Sequence, residues 1–421
     1  MAATHPVRHD ELAQFGAVRS GTADDAIDGV VPGCVIEPPT PDDVGRLLAW
    51  ASSQGLRTVI RGGGTKLAWG RVPAALDLLL VTSRLNRVVA HRHGDLTATV
   101  QAGATLREFN QELTKEGQWF PIDTPFDEAT IGGIVATNDS GPLRSRYGTP
   151  RDLLIGITLA MTDGRLVKSG GHVVKNVAGC DLGKLMSGSF GSLAAIVDVT
   201  VKLSPIPAAS RTLEVRYEAA KPLAEDAARL SASQLEPAAF DLQVRLGPGR
   251  EASRLLLVRF ATSPESAELQ SVAAQALLAG DSRLLSDFAE ATVWAEQVNE
   301  PWDPGGATLR LSWLPAALPQ VLALVDEIHR VSAGSVALHA RATTGAGFLR
   351  LDADDAGVER AVVLLRSRVA TVSNVLVLRA SPALKVRVDP WGEPASAAAA
   401  ARALKQAFDP AGILNAGRGP I

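Results

Sequence analysis

Two spacings of apolar residues alternate along the chain, and the place where each applies predicts its secondary structure. Over residues 42–54, Val44, Leu47, Leu48 and Ala51 recur at intervals of three and four behind Asp42 and Asp43, which predicts an amphipathic helix with acidic residues in its first turn. A short strand over residues 33–37 and the punctuation Pro38-Pro39-Thr40-Pro41 precede it. Thr58-Val59-Ile60 then reads as a strand running directly into Gly62-Gly63-Gly64, so the chain opens as a β-α-β unit ending in a glycine loop. The run Pro-Ile-Pro-Ala-Ala-Ser at 205–210 marks a boundary. Beyond it, strand patterns at 211–217, 240–245 and 254–260 bracket helical patterns at 222–233 and 265–278. The order recurs with strands at 307–313, 335–341, 347–351 and 375–379 and helices at 316–331 and 356–370. Two successive β-α-β-β-α patterns predict an antiparallel sheet with helices on one face. An alanine-rich helix at 395–407, stopped by Asp409-Pro410 and Gly412, closes the chain.

Composition narrows the function. A chain of 421 residues divides into two or three domains. With 42 Lys and Arg against 45 Asp and Glu, the net charge of -3 gives no field for a polyanion, and no nucleic-acid partner is expected. No apolar run approaches the roughly 18 residues of a membrane span. Residues 1–10 lack the basic start and apolar block of a secretory leader, so a cytoplasmic protein is expected. Cys34 and Cys180, the two cysteines, form neither a disulfide framework nor a metal or iron-sulfur spacing, so a redox centre would be an organic cofactor or a partner's.

Glycine is concentrated early, with 25 of 38 before residue 209. Arg61-Gly62-Gly63-Gly64-Thr65-Lys66 is either a plain turn or a loop whose N–H groups converge on a phosphate, with Thr65 and Lys66 adding a hydroxyl and a charge. In residues 121–141, Thr130 and Gly132-Gly133 precede an apolar run. They read equally as a helix start offering free N–H groups to a pyrophosphate or as a capped helix packed closely through glycine. A third glycine-dense region covers 170–182 and 188–196. None carries a Walker lysine or the Gly-x-Gly-x-x-Gly spacing, which points to a phosphate-bearing cofactor held outside the P-loop and Rossmann families.

In order and spacing these loops resemble those of the vanillyl-alcohol-oxidase or PCMH-type FAD-binding family, and within it the FAD-binding subunits of glycolate oxidase. The likeness rests on the Arg61 to Lys66 loop, Ala129-Thr130-Ile131-Gly132-Gly133 with Thr137-Asn138-Asp139-Ser140-Gly141, Arg146-Tyr147-Gly148, Lys175-Asn176-Val177-Ala178-Gly179, and the terminal Phe408-Asp409-Pro410-Ala411-Gly412-Ile413-Leu414-Asn415. The resemblance implies an α+β fold: a two-lobed FAD-binding domain over 1–208, an α+β cap with an antiparallel sheet over 209–380, and a segment 381–421 returning to the FAD domain. It implies that Arg61, Gly62, Gly63, Gly64, Thr65 and Lys66 hold the pyrophosphate, and that Thr130, Gly132, Gly133, Thr137, Ser140 and Gly141 lie along phosphates and flavin. Gly191, Ser192 and Ile196 would hold the adenosine, and Lys175, Gly179 and Asp181 would border the ring.

The chain departs from the family pattern in three places. Thr65 stands where covalent relatives carry a histidine near the glycines, which implies noncovalent FAD. Cys180 replaces a tyrosine and Ala194 a glycine near the implied cofactor. Where catalytic relatives carry a metal-binding Gly-Asp-Gly-Asn-x-His motif, this sequence reads His339-Ala340-Arg341-Ala342-Thr343-Thr344-Gly345-Ala346-Gly347-Phe348-Leu349-Arg350. Ala346 and Phe348 cannot ligate and Arg350 would repel a cation, so no metal site is expected. Two readings of His339, Arg341 and Arg350 stay open: they are catalytic, the guanidinium groups anchoring a substrate carboxylate with His339 as base, or they are strand residues facing solvent or a partner.

The function implied is that of an FAD-binding subunit of a glycolate oxidase complex, in which glycolate becomes glyoxylate. This chain would be accessory to a catalytic FAD subunit and pass electrons to an iron-sulfur subunit, in the cytoplasm or attached to the inner membrane through those partners. The alternatives are a self-sufficient FAD-dependent 2-hydroxy-acid dehydrogenase and a scaffold that has lost the flavin.

Overall fold

A computed structural model describes residues 9–171, 181–248, 250–392 and 397–420. They form two compact units: Met1–Ser140, Thr149–Ile206 and Glu393–Ile421 in the first, Gly141–Gly148 and Pro207–Gly392 in the second. The chain leaves the first unit at the proline-rich boundary seen in the sequence, and its last segment returns there.

The first unit holds two principal sheets. A four-stranded sheet runs in the order Ala17–Ser20, Cys34–Glu37, Leu78–Val81, Thr58–Arg61, parallel among the last three. A five-stranded antiparallel sheet runs Val88–Arg92, Thr97–Gln101, Ala195–Lys202, Leu154–Ala160, Leu166–Gly170. Between them lies the helix Pro41–Ser53. Thr40 caps it by accepting the Asp43 N–H, Pro41 fixes its first turn, and it buries Val44, Leu47, Leu48 and Ala51, the stripe read from the sequence. One core joins this helix to Ile36, Leu78 and Leu80 of the first sheet, to Ala160, Ala195 and Val197 of the second, and to Ile413 and Leu414 of the terminal segment.

The second unit is an eight-stranded antiparallel sheet in the order Asp281–Leu285, Ala209–Arg216, Arg250–Thr262, Ala239–Gly247, Ser335–Arg341, Ala346–Asp352, Ala307–Ser312, Asn374–Arg379. Period-two alternation sends Phe240, Leu242, Val244, Leu338 and Ala340 to one face. There they pack on Leu223, Ala267, Val321, Val325, Val358 and Val362 of the helices Ala220–Ser231, Pro264–Leu277, Leu318–Ser332 and Asp355–Ser367.

The expectation of helices on one face alone is corrected. A strand, Asp281–Leu285, and a helix, Asp287–Asn299, lie in a stretch without apolar periodicity, and this helix covers the opposite face. Its buried residues are Glu290, Trp294 and Gln297, and Trp294 packs on Ala239 and Leu257. A helix that turns two polar residues inward leaves no apolar stripe to detect.

Phe240 is fully buried at the centre of the helix-covered face. Phe240→Ala should destabilise the second unit by about 3–5 kcal/mol through lost burial and the cavity left behind. The check is the urea midpoint followed by tryptophan fluorescence, which should fall well below that of the unsubstituted chain.

Candidate cofactor site

The first glycine loop leaves the strand Thr58–Arg61 and is pressed against the segment before the next glycine pair. A Cβ on Gly62 would lie 2.0 Å from the Thr130 Oγ1, and one on Gly63 would lie 1.7 Å from the Glu128 carbonyl oxygen. Gly64 has φ +76°, in the left-handed region. The main chain therefore meets the Thr130 side chain at Gly62 and main chain at Gly63, and a side chain at 62 or 63 would drive the loops apart. Among the described residues the N–H groups of Gly62, Gly63, Gly64, Thr65 and Lys66 meet no protein acceptor. A run of main-chain donors held in place and left to water is the donor set a diphosphate requires.

The side chains of this loop are engaged elsewhere. Arg61 donates to Asp25 at 3.0 Å, and Arg19 binds the same carboxylate. Hydrogen bonding from Arg19 outweighs burial and, with Thr22 and Arg61, holds Asp25 far below the usual carboxylate range. Lys66 forms an ion pair with Asp139 at 2.8 Å, with both side chains nearly buried, and its ammonium lies 5.7 Å from the Trp69 ring centre and 5.6 Å from that of Phe126. The loop also walls one side of a cleft of about 540 Å³ that carries Asp24, Asp25, Asp28 and Glu37. Those carboxylates would repel a diphosphate placed in this cleft.

The second glycine segment takes the capped-helix form. Thr130 caps Ile131–Thr137 by accepting the Gly133 N–H at 3.3 Å, while the Ile131 and Gly132 N–H groups donate to the Ala104 and Ala102 carbonyls at 2.9 and 2.8 Å. Its first three amides thus donate inside the protein, the form expected of the capped-helix reading, one of the two the sequence left open. Thr137 donates back to the Gly133 carbonyl at 2.8 Å, Ser140 is buried at the end of this unit's segment, and Gly141 begins the portion that belongs to the second unit.

The third region joins the other two. The Phe190 N–H donates to the Ala136 carbonyl at 2.8 Å, and the Phe190 ring centre lies 6.3 Å from that of Trp69. Gly191 follows at φ +67°, Ser192 is fully buried, and Ile196 is buried in the five-stranded sheet. Asp181 caps the short helix Leu182–Met186 through the Lys184 N–H and pairs with the Lys184 ammonium at 3.1 Å. Lys175 and Gly179, with Cys180, lie outside the described residues. The structure thus gathers the loops at 61–66, 128–137 and 188–192. Sequence reading missed Asp139, Trp69 and Phe126 as their cross-links, because nothing local marks a buried lysine's partner.

In the second unit His339 and Arg341 lie under the helix Asp287–Asn299, on the face opposite Leu338 and Ala340. His339 is 1% exposed; its Nδ1 is 3.0 Å from the Gln297 Oε1 and its Nε2 3.3 Å from the Glu300 Oε2. Arg341 is 5% exposed, with Nε 3.9 Å from Asp241 and its guanidinium 5.0 Å from the Phe348 ring centre. Arg350 donates to the Asp303 and Pro304 carbonyls and to Asp352, closing the turn at 303–306. The reading of these three as residues facing solvent is therefore corrected, and each is already engaged within its own unit. Burial lowers the His339 pKa, against the hydrogen bond and charge of Glu300, which raise it. Burial would raise Glu300, but hydrogen bonds from His339 and Arg245 outweigh it and bring Glu300 down to about 2. Arg245 donates to the same carboxylate at 2.8 and 2.9 Å. Among the described residues no group of three or more His, Cys, Asp or Glu is arranged to hold a metal ion.

Comparison with known proteins agrees with this geometry. Residues 32–170 match the family described as FAD binding domain. Over 212 residues the chain is 32% identical to glycolate oxidase subunit GlcD of Bacillus subtilis (strain 168), covering 50% of this chain and 45% of that protein. Over 171 residues it is 32% identical to a D-lactate dehydrogenase of Archaeoglobus fulgidus, 41% of this chain and 38% of the other. It is 33% identical over 183 residues to D-2-hydroxyglutarate dehydrogenase of Xanthomonas citri pv. viticola, 43% of this chain and 39% of the other. The chain thus matches less than half the length of each of these relatives. A solved structure of alkyldihydroxyacetonephosphate synthase superposes with a TM-score of 0.71 at 15% identity, covering 99% of this chain and 86% of that one, which establishes the likeness of fold. Residues 32–170, chiefly within the first unit, thus match an FAD-binding domain, and its cofactor is FAD.

Two outcomes follow. Gly63→Ala, forced against the Glu128 carbonyl, should cut the flavin retained per polypeptide after desalting at least tenfold, read from absorbance against protein concentration. Glu300 is depressed in the folded state, so its contribution to stability is complete above its ordinary pKa of 4.5 and is lost as pH falls toward about 2. Glu300→Gln should flatten the fall in urea midpoint between pH 4.5 and pH 2 relative to the unsubstituted chain.

Proposed function

We propose that this chain is an FAD-carrying oxidoreductase subunit of the glycolate oxidase type, corresponding to GlcE. In this reading it binds FAD noncovalently, accompanies a catalytic FAD subunit that converts glycolate to glyoxylate, and passes electrons to an iron-sulfur subunit. The observation that carries the accessory role is the closure of the second unit's polar face. His339 and Arg341, at the positions where catalytic relatives would meet a substrate, are covered by the helix Asp287–Asn299, His339 beside Gln297 and Glu300 and Arg341 beside Asp241 and Phe348. A base must reach its substrate, and His339 lies under that helix with only 1% of its surface exposed.

Within the first unit the amides of 62–66 would take the FAD diphosphate, Gly191 and Ser192 would border the adenosine portion, and the Lys66–Asp139 pair would fix the loop while adding no net charge. When bound, FAD supplies the two-electron and one-electron steps of the chemistry, and the chain supplies binding, orientation and exclusion of water. Noncovalent attachment is supported by Thr65, which offers no imidazole beside the glycines. Attachment to the inner membrane would come through partners, since no helix among the described residues is long and apolar enough to cross a bilayer.

The names of the relatives that oxidise D-lactate and D-2-hydroxyglutarate support a second reading, a self-sufficient 2-hydroxy-acid dehydrogenase. That reading requires the covering helix to move and Arg341 or Arg350 to leave its present partners. The readings separate in an anaerobic cuvette. The flavin of the isolated chain should keep its absorbance near 450 nm when glycolate or D-lactate is added, and it should bleach only once the catalytic subunit is supplied. Rapid bleaching in the chain alone, abolished by Arg341→Ala or Arg350→Ala, would establish the second reading.

A further inference from the structure

We propose that the terminal segment 409–419 is a latch that holds the FAD loops in their binding geometry, with Arg418 as a positioning residue for flavin affinity. The inference rests on the reading that FAD sits at the glycine loops, and it goes beyond it by assigning loop closure to a part of the chain some 350 residues away in sequence.

The segment makes three separate ties. At the strand that feeds the first loop, the Thr58 N–H donates to the Ile413 carbonyl at 2.8 Å and the Asn415 N–H to the Thr58 carbonyl at 2.9 Å, so Leu414 joins that strand in parallel. At the third loop, the Asn415 amide donates to the Phe190 carbonyl, directly before Gly191. Immediately after Lys66, the Arg418 guanidinium donates to the Leu67 and Trp69 carbonyls, and the Arg71 N–H returns to the Arg418 carbonyl at 3.2 Å. Arg418 is 4% exposed, and its second arm reaches the Asn415 side chain at 3.1 Å. The planar fork therefore grips both ends of the connection in one rigid unit.

The latch is itself braced. Lys405 donates to the Ser192 and Leu414 carbonyls and pairs with Asp409, each at 2.7 Å, while Asp409 accepts the Ile413 and Leu414 N–H groups. One lysine thus links the third loop to the tail, and one arginine links the tail to the first loop. Burial brings the Arg418 pKa down only to about 10, so the guanidinium stays charged at neutral pH beside the loop that awaits an anion. Without these ties each loop would have to be ordered by the ligand, and that ordering would be drawn from the binding free energy.

The test is a titration of flavin-free full-length chain with FAD, followed by quenching of flavin fluorescence. Arg418→Met, which keeps the apolar bulk and removes the donors, should weaken FAD at least tenfold, with the flavin-free melting temperature within about 2 °C of the unsubstituted value. Arg418→Lys, which keeps a charge and part of the donor set, should recover much of the loss. Unchanged affinity in Arg418→Met would overturn the latch. Should that variant not fold, hydrogen exchange on the unsubstituted chain decides: FAD should protect 67–71 and 411–419 together with 62–66, whereas protection of 62–66 without the tail would overturn it. No protection at 62–66 would instead reject the location of the FAD site itself.

Discussion

The first unit depends on one contact, the main chain at Gly62 and Gly63 lying against Thr130 and the Glu128 carbonyl with no room for a Cβ. From it follow the direction in which the loop leaves the strand Thr58–Arg61 and the set of amides left without protein acceptors. Such amides need no change of protein partner to meet phosphate oxygens. The contact also brings Lys66 within reach of Asp139. That ion pair is nearly buried and would be a poor source of net stability. Its physical role is registration: it fixes the first loop to the end of the helix Ile131–Thr137, whose own amides are occupied.

The second unit solves a different problem. Its sheet is apolar on one side and carries a buried polar layer on the other, where Thr212, Asp241, Gln243, His339 and Arg341 all lie. Buried polar groups destabilise unless each finds partners. The helix Asp287–Asn299 supplies them: Trp294 donates to Thr212, Gln297 to Asp241, and Glu290 accepts from Thr212 and Arg259. The helix is held by satisfying that layer more than by apolar burial.

Much was legible before any coordinates. The helix at 42–54 and the strands at 240–245 and 335–341 announce themselves because one face of each is buried, and burial imposes a period on Val44 and Leu47 or on Phe240 and Leu242. The density of glycine marked the loops, since close approach of main chain to main chain tolerates little else. Those features are local, set by residues a few positions apart, and the chain writes them directly into its order. Three-dimensional packing alone settled the rest. Which amides remain available at Gly62 and which are taken at Gly132 depends on the Ala102 and Ala104 carbonyls, about 30 residues upstream of the helix they cap. Whether His339 is open or covered depends on Gln297, on a helix whose inward residues are too polar to betray it, and on Glu300 in the turn that follows. Arg418 finds its acceptors at Leu67 and Trp69. Hydrogen bonds are short and directional, so their partners follow from where the chain returns in space, and no spacing along it encodes that return.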